Sequence, residues 1–501
     1  MDDMTERGVD GDPSDDPSGG EASTLPAAWS GGWARTPDAP VLRQAGGGWW
    51  TAGALDDATR RAAGRLAGFG LAPGDRVLWS TGSSVAAVVA HVGALRAGLV
   101  VVPANTAYTR REIAHIATTV RPAAAVVDDP VVGRWADEAL GGGVRVLSPA
   151  LDGPDRPTGP LDAASPGDPA LICFTSGTTG APKGAVLSHG NLLAGSRSLA
   201  TAWGWTSGDR LVHCLPLFHA HGLCVGLYGT LLAGGSAVLL PGFDPAAVVD
   251  EASDPASTLF FGVPTMYHRL LADGRVGPLG RLRLCVSGSA PLPATMHAAL
   301  TAALGSAPLE RYGMTETLMI TSNPLEGERR AGSVGLPLPG VGVRLAGDGE
   351  ILVRGPAVTR GYRGDPAATA EAFVDDLDGG RPWFRTGDLG SCSDDGYLSI
   401  LGRSKELILS GGFNVYPAEV EDVLAGCPGV VEVAVTGTPS DEWGEVVTAW
   451  VVADGTSPTE RDVVAHAERS LAPYKRPRLV RFVDELPRNA LGKVVRSELR
   501  N

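Results

Sequence analysis

The sequence predicts an α/β fold with a large N-terminal domain of layered α/β subdomains, a small β-rich subdomain, and a small α+β C-terminal domain. Helical patterns such as residues 56–66 alternate with short β-branched runs such as 98–103 and 123–127. This alternation is typical of largely parallel strands covered by helices. Short strand-like runs with tight turns at 349–354 and 396–401 indicate the β-rich subdomain.

The sequence divides the chain into three segments. Residues 1–24 are acidic and rich in Gly, Ser and Pro, which predicts a disordered tail. Residues 25–403 carry the α/β alternation and the β-rich runs, and residues 404–501 carry strand-like and helical patterns enough for a compact α+β domain. A chain of 501 residues is too long for one hydrophobic core.

Composition excludes several classes of partner. The net charge of −14 argues against nucleic acid or an anionic membrane as the main partner, since both require basic surface. No apolar run has the length of a membrane span, and the N-terminus has no basic start or apolar core of a signal peptide, which predicts a soluble cytoplasmic protein. The 6 cysteines lack C-x-x-C spacing and are expected to be reduced core residues.

One loop has the composition of a polyphosphate site. An apolar run, 171–174, is followed by Thr-Ser-Gly-Thr-Thr-Gly-Ala-Pro-Lys-Gly, so the polar segment begins where a buried strand ends. Hydroxyls, glycines that allow close backbone approach, and the point charge of Lys183 suit phosphate oxygens. The Walker A pattern fails because Pro182 precedes the lysine and Gly184 follows it. The alternative, a flexible linker, fits poorly between two apolar segments.

Five further segments carry polar residues in motif-like runs: 287–292 (SGSAPL), 310–317 (ERYGMTET), 383–390 (WFRTGDLG), 400–419 (ILGRSKELILSGGFNVYPAE) and 487–493 (PRNALGK). Each alone has an ordinary structural interpretation, such as a capped turn or a solvated surface element. In this order, and together with the phosphate-type loop, they resemble the adenylate-forming superfamily of acyl-CoA synthetases, peptide-synthetase adenylation domains and beetle luciferases. The resemblance covers nearly the whole chain after the acidic tail.

The resemblance implies a two-step reaction. A carboxylate attacks the α-phosphate of Mg²⁺-bound ATP to give an acyl-AMP and pyrophosphate, and a thiol then attacks the acyl carbon. Such chemistry requires charge neutralisation and positioning rather than a covalent nucleophile. The implied cofactors are ATP and Mg²⁺, with coenzyme A as co-substrate.

The resemblance also implies roles for single residues. Lys493 would bridge the carboxylate and the α-phosphate, Thr315 would meet the α-phosphate, Glu316 would hold Mg²⁺ together with Thr178, and His219 would act beside them. The implied phosphate-binding residues are Thr175, Ser176, Gly177, Thr178, Thr179, Gly180 and Lys183. The remaining nucleotide-binding residues are Ser289, Ala290, Pro291, Arg311, Tyr312, Gly313 and Met314 around the adenine, and Asp388 and Arg403 at the ribose.

The C-terminal domain is implied to be mobile. Lys405 occupies the position of the family's hinge, with a solvated linker charge as the alternative interpretation. The loop with Ser410, Gly411 and Gly412 would then replace Lys493 at the active site. Its glycines would allow the thiol of coenzyme A to pass close to the backbone on its way to the acyl group. An acetyltransferase acting on Lys493 is a further predicted partner, because acetylation removes the lysine charge.

The acid is expected to be malonate or methylmalonate, because segments 218–223, 283–290 and 310–316 resemble the malonyl-CoA synthetases. A second carboxylate requires a cation, for which Arg283 is the first candidate and Arg269 the second. The alternative for either arginine is a structural ion pair with a nearby Asp or Glu. Ser287, Ala220, His221 and Met314 are expected to line the acid site, and the small Ala220 leaves space for a methyl branch. Other possibilities are a freestanding adenylating enzyme for another small acid, or one with a carrier-protein thiol as acceptor.

Overall fold

A computed structural model describes most of the chain. The described residues are 22–153, 156, 159–175, 182–376, 380–440, 442–455, 458–488 and 494–499. The predicted disordered tail therefore lies outside the described residues up to position 21.

The described residues form thirteen α-helices and twenty-five strands. The helices are α1 (Leu25–Arg35), α2 (Ala52–Gly68), α3 (Val85–Arg96), α4 (Arg110–Val120), α5 (Pro130–Leu140), α6 (His189–Ala202), α7 (Tyr228–Ala233), α8 (Pro245–Ala252), α9 (Pro264–Ala272), α10 (Ala294–Leu304), α11 (Pro366–Glu371), α12 (Pro417–Ala425) and α13 (Glu460–Glu468).

The strands of the first part of the chain are β1 (Pro40–Gln44), β2 (Trp49–Thr51), β3 (Arg76–Ser80), β4 (Val100–Pro103), β5 (Ala124–Val127), β6 (Arg145–Leu147), β7 (Pro169–Phe174), β8 (Gly184–Ser188), β9 (Arg210–His213), β10 (Ser236–Leu239), β11 (Leu259–Gly262), β12 (Leu284–Ser287), β13 (Leu309–Met314), β14 (Leu318–Ser322) and β15 (Leu336–Pro337). The remaining strands are β16 (Gly342–Leu345), β17 (Glu350–Arg354), β18 (Phe373–Val374), β19 (Trp383–Cys392), β20 (Leu398–Arg403), β21 (Ile408–Ser410), β22 (Phe413–Val415), β23 (Val430–Ser440), β24 (Gly444–Ala453) and β25 (Leu479–Phe482).

Two large sheets form the α/β part. The first has the order β6-β5-β3-β4-β7-β8 and is parallel except for the edge strand β8. The second has nine strands in the order β15-β14-β13-β12-β11-β9-β10-β1-β2, with a parallel centre and antiparallel strands at both ends. Every residue of β4, β5, β11 and β12 is buried, as expected of parallel strands covered on both faces.

Some of the helices begin at capping residues that the sequence makes visible. Thr109 and Glu112 form a capping box at α4, and Thr459 and Asp462 form one at α13. Each box satisfies two backbone N–H groups that have no partner within the helix. Local sequence therefore determines where these helices start.

Two smaller sheets follow. Strands β16 to β20 form an antiparallel sheet, which is the predicted β-rich subdomain. The C-terminal sheet has the order β22-β21-β24-β23 with β25 parallel to β24, and α12 and α13 contribute to its core. The two-residue turn between β21 and β22 has φ of 59° at Gly411 and 80° at Gly412, a conformation that favours glycine. The predicted fold class is confirmed.

The cysteines agree with the sequence expectation at five of the six positions. All six are free, and Cys173, Cys214, Cys224, Cys285 and Cys427 are buried. Cys392 is exposed at the end of β19, so the expectation of a core position was wrong for this residue. None of the helices in the described part of the chain is long and apolar enough to cross a membrane.

Candidate active site

The phosphate-type loop connects two antiparallel strands at a sheet edge. It leaves β7 after Phe174 and returns as β8 at Gly184, and the Thr175 N–H donates to the Lys183 carbonyl at 3.0 Å. A strand, not a helix, follows the loop, so it differs from a Walker A loop as its sequence predicts. Ser176, Gly177, Thr178, Thr179 and Gly180 lie outside the described residues.

Thr315 and Glu316 occupy the tight turn between β13 and β14. Gly313 is required there because a Cβ at this position would lie 2.1 Å from the Leu318 carbonyl oxygen. Glu316 is buried, and burial raises the pKa of its carboxyl while a hydrogen bond from the Tyr362 hydroxyl opposes the rise. That hydroxyl donates to Oε1 of Glu316 at 2.9 Å.

A second carboxylate lies at the predicted ribose position. Asp388 on β19 stands opposite Arg403 on β20 in the strand register, and Arg403 Nε contacts its Oδ1 at 2.6 Å. The Tyr312 hydroxyl donates to Oδ2 of the same carboxylate. The charges of both Arg403 and Asp388 act on the pKa of Glu316. The fold therefore brings Tyr312, Glu316, Asp388 and Arg403 together although they lie in separate motifs.

A buried cation lies on β13, the strand that also carries Tyr312. Arg311 on β13 is 4% exposed, and its Nε and Nη2 atoms have no hydrogen-bond partner among the described residues. Burial lowers the pKa of its guanidinium to about 9. A buried charge with two unpaired nitrogen atoms is costly, which makes this position a candidate site for an anion.

Small and polar residues surround this cation. The guanidinium lies against Gly288, which follows β12 and leaves space that a Cβ would fill. Ser287 is fully buried and its hydroxyl has no partner among the described residues. His221 Nδ1 lies 3.2 Å from the Ser289 hydroxyl, and burial, followed by the charge of Arg311, lowers the pKa of His221 well below its usual value.

The histidine pair belongs to an irregular helical segment. Ala220 immediately precedes a π-helical stretch, His221–Leu227, and the His221 N–H donates to His219 Nδ1 at 3.3 Å. π-Helical turns are frequent at functional sites. Ala220, His219 and His221 thus lie on one turn beside the loop that follows β12.

The two arginines predicted to bind the acid do not lie in this pocket. Arg283 precedes the first residue of β12, at the opposite end of that strand from Ser287, and it is exposed rather than buried. Its Nε and Nη2 pair with both carboxylate oxygens of Asp209 at 2.6 and 2.7 Å. The prediction for Arg283 was wrong because a bidentate ion pair already satisfies the guanidinium.

Arg269 is also exposed rather than buried. It lies in the last turn of α9, and its guanidinium carbon lies 4.9 Å from the centre of the Phe243 ring. Only the first residues of α9 adjoin the carboxyl end of β11. The contact of its guanidinium is with Phe243 rather than with Arg311 or Ser287, so the structure gives this second assignment no support.

The other predicted residues have defined places. Met314 ends β13, and Ala290 and Pro291 are exposed in the loop after β12. Lys405 lies in a short 3₁₀ turn, Ser404–Glu406, directly after β20. Ser410 is buried at the end of β21, next to the Gly411–Gly412 turn. Lys493 lies outside the described residues.

Sequence reasoning missed three features of the site. It assigned Arg311 to the nucleotide and did not identify its unpaired guanidinium, it gave Gly288 no role, and it did not consider Tyr362. The Glu-Arg-Tyr-Gly run that contains Arg311 could be recognised in the sequence. Tyr362, by contrast, contacts Glu316 from a position 46 residues away in the chain. Such a contact leaves no local signal.

Comparison with known proteins identifies the family. The family model for the AMP-binding enzyme matches residues 30–363, and the model for the AMP-binding enzyme C-terminal domain matches residues 419–493. The chain belongs to the AMP-binding enzyme family. The resemblance to adenylate-forming enzymes is thereby confirmed, and this AMP-binding enzyme is an AMP-forming acid–CoA ligase by family.

Several relatives of this AMP-binding enzyme have different acids in their names. A malonate–CoA ligase from Arabidopsis thaliana is 39% identical over 372 residues, which cover 66% of this chain and 60% of that protein. A feruloyl-CoA synthase from an Amycolatopsis species is 37% identical over 486 residues, covering 93% and 96% of the two chains. A sulfoacetate–CoA ligase from Cupriavidus necator is 36% identical over 501 residues, covering 93% and 96%.

Solved structures share the whole fold of this AMP-binding enzyme. The crystal structure of ATP-bound MatB from Rhodopseudomonas palustris has 40% sequence identity and a TM-score of 0.89, covering 96% of this chain and 98% of that chain. A malonyl-CoA ligase complex with methylmalonyl-CoA and AMP has 41% identity and a TM-score of 0.64, covering 95% and 100%. ATP and CoA are therefore the co-substrates that the family uses with an acid.

Proposed function

We propose that this enzyme joins a small dicarboxylic acid, malonate or methylmalonate, to coenzyme A through an acyl-AMP intermediate, with release of AMP and pyrophosphate. The observation that carries the proposal is Arg311, a buried guanidinium with two unpaired nitrogen atoms beside the predicted acid site. A planar guanidinium matches a carboxylate bidentately. This assignment replaces Arg283 and Arg269 as the group that meets the distal carboxylate.

Neighbouring residues fit a short acid. Ser287 has a buried hydroxyl without a partner among the described residues, and Gly288 allows the guanidinium to lie against the backbone. Burial keeps His221 neutral at physiological pH, so its ring adds no second charge beside Arg311. One carboxylate of the acid would pair with Arg311 while the other extends towards the nucleotide.

The nucleotide side of the pocket is formed by residues on three strands. Asp388 is oriented by Arg403 and Tyr312, and its carboxylate can accept further hydrogen bonds from ribose hydroxyls. Thr315 stands in the turn next to Glu316, where a hydroxyl would meet the α-phosphate. Lys183 would neutralise charge on the terminal phosphates.

Magnesium fits the residues present. Glu316 supplies a hard oxygen donor, and among the described residues no group of three or more His, Cys, Asp or Glu side chains could hold a metal alone. This agrees with Mg²⁺, which is usually held by one or two carboxylates together with substrate phosphates. When bound, Mg²⁺ would neutralise phosphate charge. Glu316 would hold the ion, and Thr178 remains a predicted second ligand.

The remaining roles follow the family resemblance. Lys493 would bridge the attacking carboxylate and the α-phosphate in the first step, and acetylation of Lys493 would abolish that step. Rotation near Lys405 would then bring the Ser410–Gly412 turn to the acyl-AMP for attack by the CoA thiol. His219 would act at the mouth of the acid pocket.

A panel of acids tests the proposed function. Pyrophosphate release should be measured with malonate, methylmalonate, sulfoacetate, acetate, propionate and ferulate, each with and without CoA. We expect kcat/KM for malonate to exceed that for acetate by about four orders of magnitude, because acetate leaves Arg311 unpaired. Equal turnover of acetate and malonate would overturn the proposal, and a preference for sulfoacetate would reassign the distal anion to a sulfonate.

A pair of arginine variants locates the distal site. Arg311→Met should reduce kcat/KM for malonate by at least about a hundredfold, since it removes a buried charge-assisted contact, and it should leave ATP binding within a few-fold. Arg283→Met is the matched control, because Arg283 is paired with Asp209 at the other end of β12. Loss of malonate activity in the Arg283 variant alone would contradict the assignment.

A further inference from the structure

Tyr362 contacts two groups of the proposed nucleotide site at once. Its hydroxyl donates to Oε1 of Glu316 at 2.9 Å, and the Lys183 ammonium lies 5.3 Å from the centre of its ring. The first contact orients a carboxylate and the second is a cation–π interaction. One side chain thus joins the carboxylate assigned to Mg²⁺ and the cation assigned to the terminal phosphates.

The backbone around Tyr362 is held on the side of the phosphate loop. Tyr362 pairs with Ala185 in an antiparallel bridge, the Val186 N–H donates to the Gly361 carbonyl at 3.0 Å, and the Arg363 N–H donates to the Gly184 carbonyl at 2.8 Å. These bonds attach Tyr362 to β8, the strand that directly follows Lys183. The strand register therefore determines the position of the Tyr362 ring relative to Lys183.

The same segment is bonded to the turn that carries Glu316. The Thr359 N–H donates to the Glu316 carbonyl at 2.6 Å, and the Thr359 hydroxyl donates to the Val186 carbonyl at 2.6 Å. The Tyr362 N–H donates to the Thr369 hydroxyl at 2.9 Å, which ties the residue to α11. Residues 359–363 consequently link β8 to the β13–β14 turn.

We propose that Tyr362 is a positioning residue for the adenylation step, which orients the Glu316 carboxylate for Mg²⁺ and supports Lys183 beside the terminal phosphates of ATP. The inference rests on the proposed function, because it needs Mg²⁺ at Glu316 and phosphate at Lys183. The role assigned to Tyr362 involves Glu316 and Lys183 and does not involve Arg311, the residue proposed to bind the acid. Its effect should therefore be confined to the binding of metal and nucleotide and to the first half-reaction.

Two substitutions separate the two contacts. Tyr362→Phe removes the hydroxyl and retains the ring over Lys183, whereas Tyr362→Leu removes both. Tyr397→Phe is the matched control, because the Tyr397 hydroxyl donates to the Glu328 carbonyl at 2.9 Å, and Glu328 has no role in the proposed nucleotide site. Mn²⁺ binding to each protein with ATP, measured by electron paramagnetic resonance in the absence of acid, reports the metal site without turnover.

Tyr362→Phe should weaken Mn²⁺ binding to the protein–ATP complex about tenfold, the effect expected when a partner of a metal ligand is lost. ATP binding measured by calorimetry in EDTA should be unchanged. Tyr362→Leu should in addition weaken metal-free ATP binding about threefold, because it removes the cation–π contact with Lys183. Tyr397→Phe should match the unmodified protein in both measurements.

The half-reactions complete the test. Both Tyr362 variants should raise the Mg²⁺ concentration for half-maximal pyrophosphate release, and thioester formation from supplied malonyl-AMP and CoA should stay within about twofold because that step uses neither terminal phosphate. Unchanged Mn²⁺ affinity in Tyr362→Phe, or equal loss of both half-reactions, would overturn the positioning role. Failure of the unmodified protein to bind ATP with Mn²⁺ would instead overturn the proposed function and this inference together.

Discussion

Gly288 lies directly against the guanidinium of Arg311. A Cβ at position 288 would stand 2.5 Å from Cζ and 2.6 Å from Nε of Arg311, closer than real Cβ contacts permit. Gly288 follows β12 and Arg311 lies on the neighbouring strand β13, so the packing of two paired strands determines the position of the cation. The absence of one side chain therefore shapes the acid pocket.

Gly288→Ala tests this relationship. The added methyl group should displace the guanidinium, at a cost of about 1–3 kcal/mol typical of overpacking, and kcat/KM for malonate should fall about tenfold to a hundredfold. Steady-state kinetics with malonate and acetate measures the effect. Acetate turnover should change less, because acetate does not use Arg311.

Gly242→Ala is the control for the glycine substitution. A Cβ at Gly242 would meet no atom within 4 Å, and that residue is exposed. Its kinetics should equal those of the unmodified enzyme. A Gly288→Ala protein with full malonate activity would show that Arg311 is mobile or that it does not bind the acid.

The buried carboxyl of Glu310 should make the free energy of unfolding depend on pH. Burial raises the pKa of this carboxyl from 4.5 to about 7, although the Leu292 N–H donates to Oε1. The folded state therefore binds a proton more tightly than the unfolded state, and the stabilising contribution, complete below pH 4.5, is lost as pH rises towards 7. The loss amounts to about 3 kcal/mol.

Glu310→Gln should remove this dependence. The Tm of the variant relative to the unmodified protein, measured by calorimetry, should rise between pH 5 and pH 8, because glutamine does not ionise. Glu326→Gln, a substitution of an exposed residue, should show no such trend. A Tm difference that is the same at both pH values would contradict this prediction, because it would mean that the Glu310 carboxyl ionises as readily in the fold as in the unfolded chain.

Much of the fold follows from local sequence. The strand that ends at Phe174 and the buried runs of β4 and β5 were predicted because apolar β-branched residues cluster there. Capping residues such as Thr109 place helix starts directly. The order of strands in the nine-stranded sheet could not be predicted, because it depends on pairing between segments far apart in sequence, such as β1 with β10.

The candidate site, too, could be predicted from the sequence only in part. Motif residues such as Asp388 and Glu316 could be selected because their residue types and order match known chemistry. The pairing of Arg283 with Asp209, across 74 residues, could not be read from the sequence, and it overturns the assignment of Arg283 to the acid. An arginine next to a strand is available to a ligand only if its guanidinium is not already paired with a carboxylate from another part of the fold.

Lys493→Ala should separate the two half-reactions. If Lys493 bridges the acid and the α-phosphate, its loss should reduce pyrophosphate release at least about a thousandfold, since it removes a charge that acts in the transition state. Thioester formation from supplied malonyl-AMP and CoA should be largely intact, because Lys493 would have left the site by then. Stopped-flow measurement of each half-reaction provides the comparison, and equal loss in both would contradict the two-state role of the C-terminal domain.

The last prediction is that the small side chain of Ala220 leaves space for a methyl branch of the acid. It is half-buried and precedes the π-helical stretch whose first residue, His221, lies 3.2 Å from the Ser289 hydroxyl. Ala220→Thr adds a methyl and a hydroxyl group on this turn, so it should lower kcat/KM for methylmalonate relative to malonate by about tenfold, the discrimination that one methyl group provides in a close-fitting pocket.

Ala220→Ser separates size from polarity, because it adds the hydroxyl group without the methyl. We expect the serine variant to retain the ratio of methylmalonate to malonate turnover, measured with both acids in competition and the CoA thioesters quantified by mass spectrometry. If threonine lowers the turnover of both acids equally, Ala220 affects the histidine turn as a whole. In that case the methyl branch of the acid would have to lie elsewhere, beside Met314 at the end of β13, where the pocket meets the turn that carries Thr315.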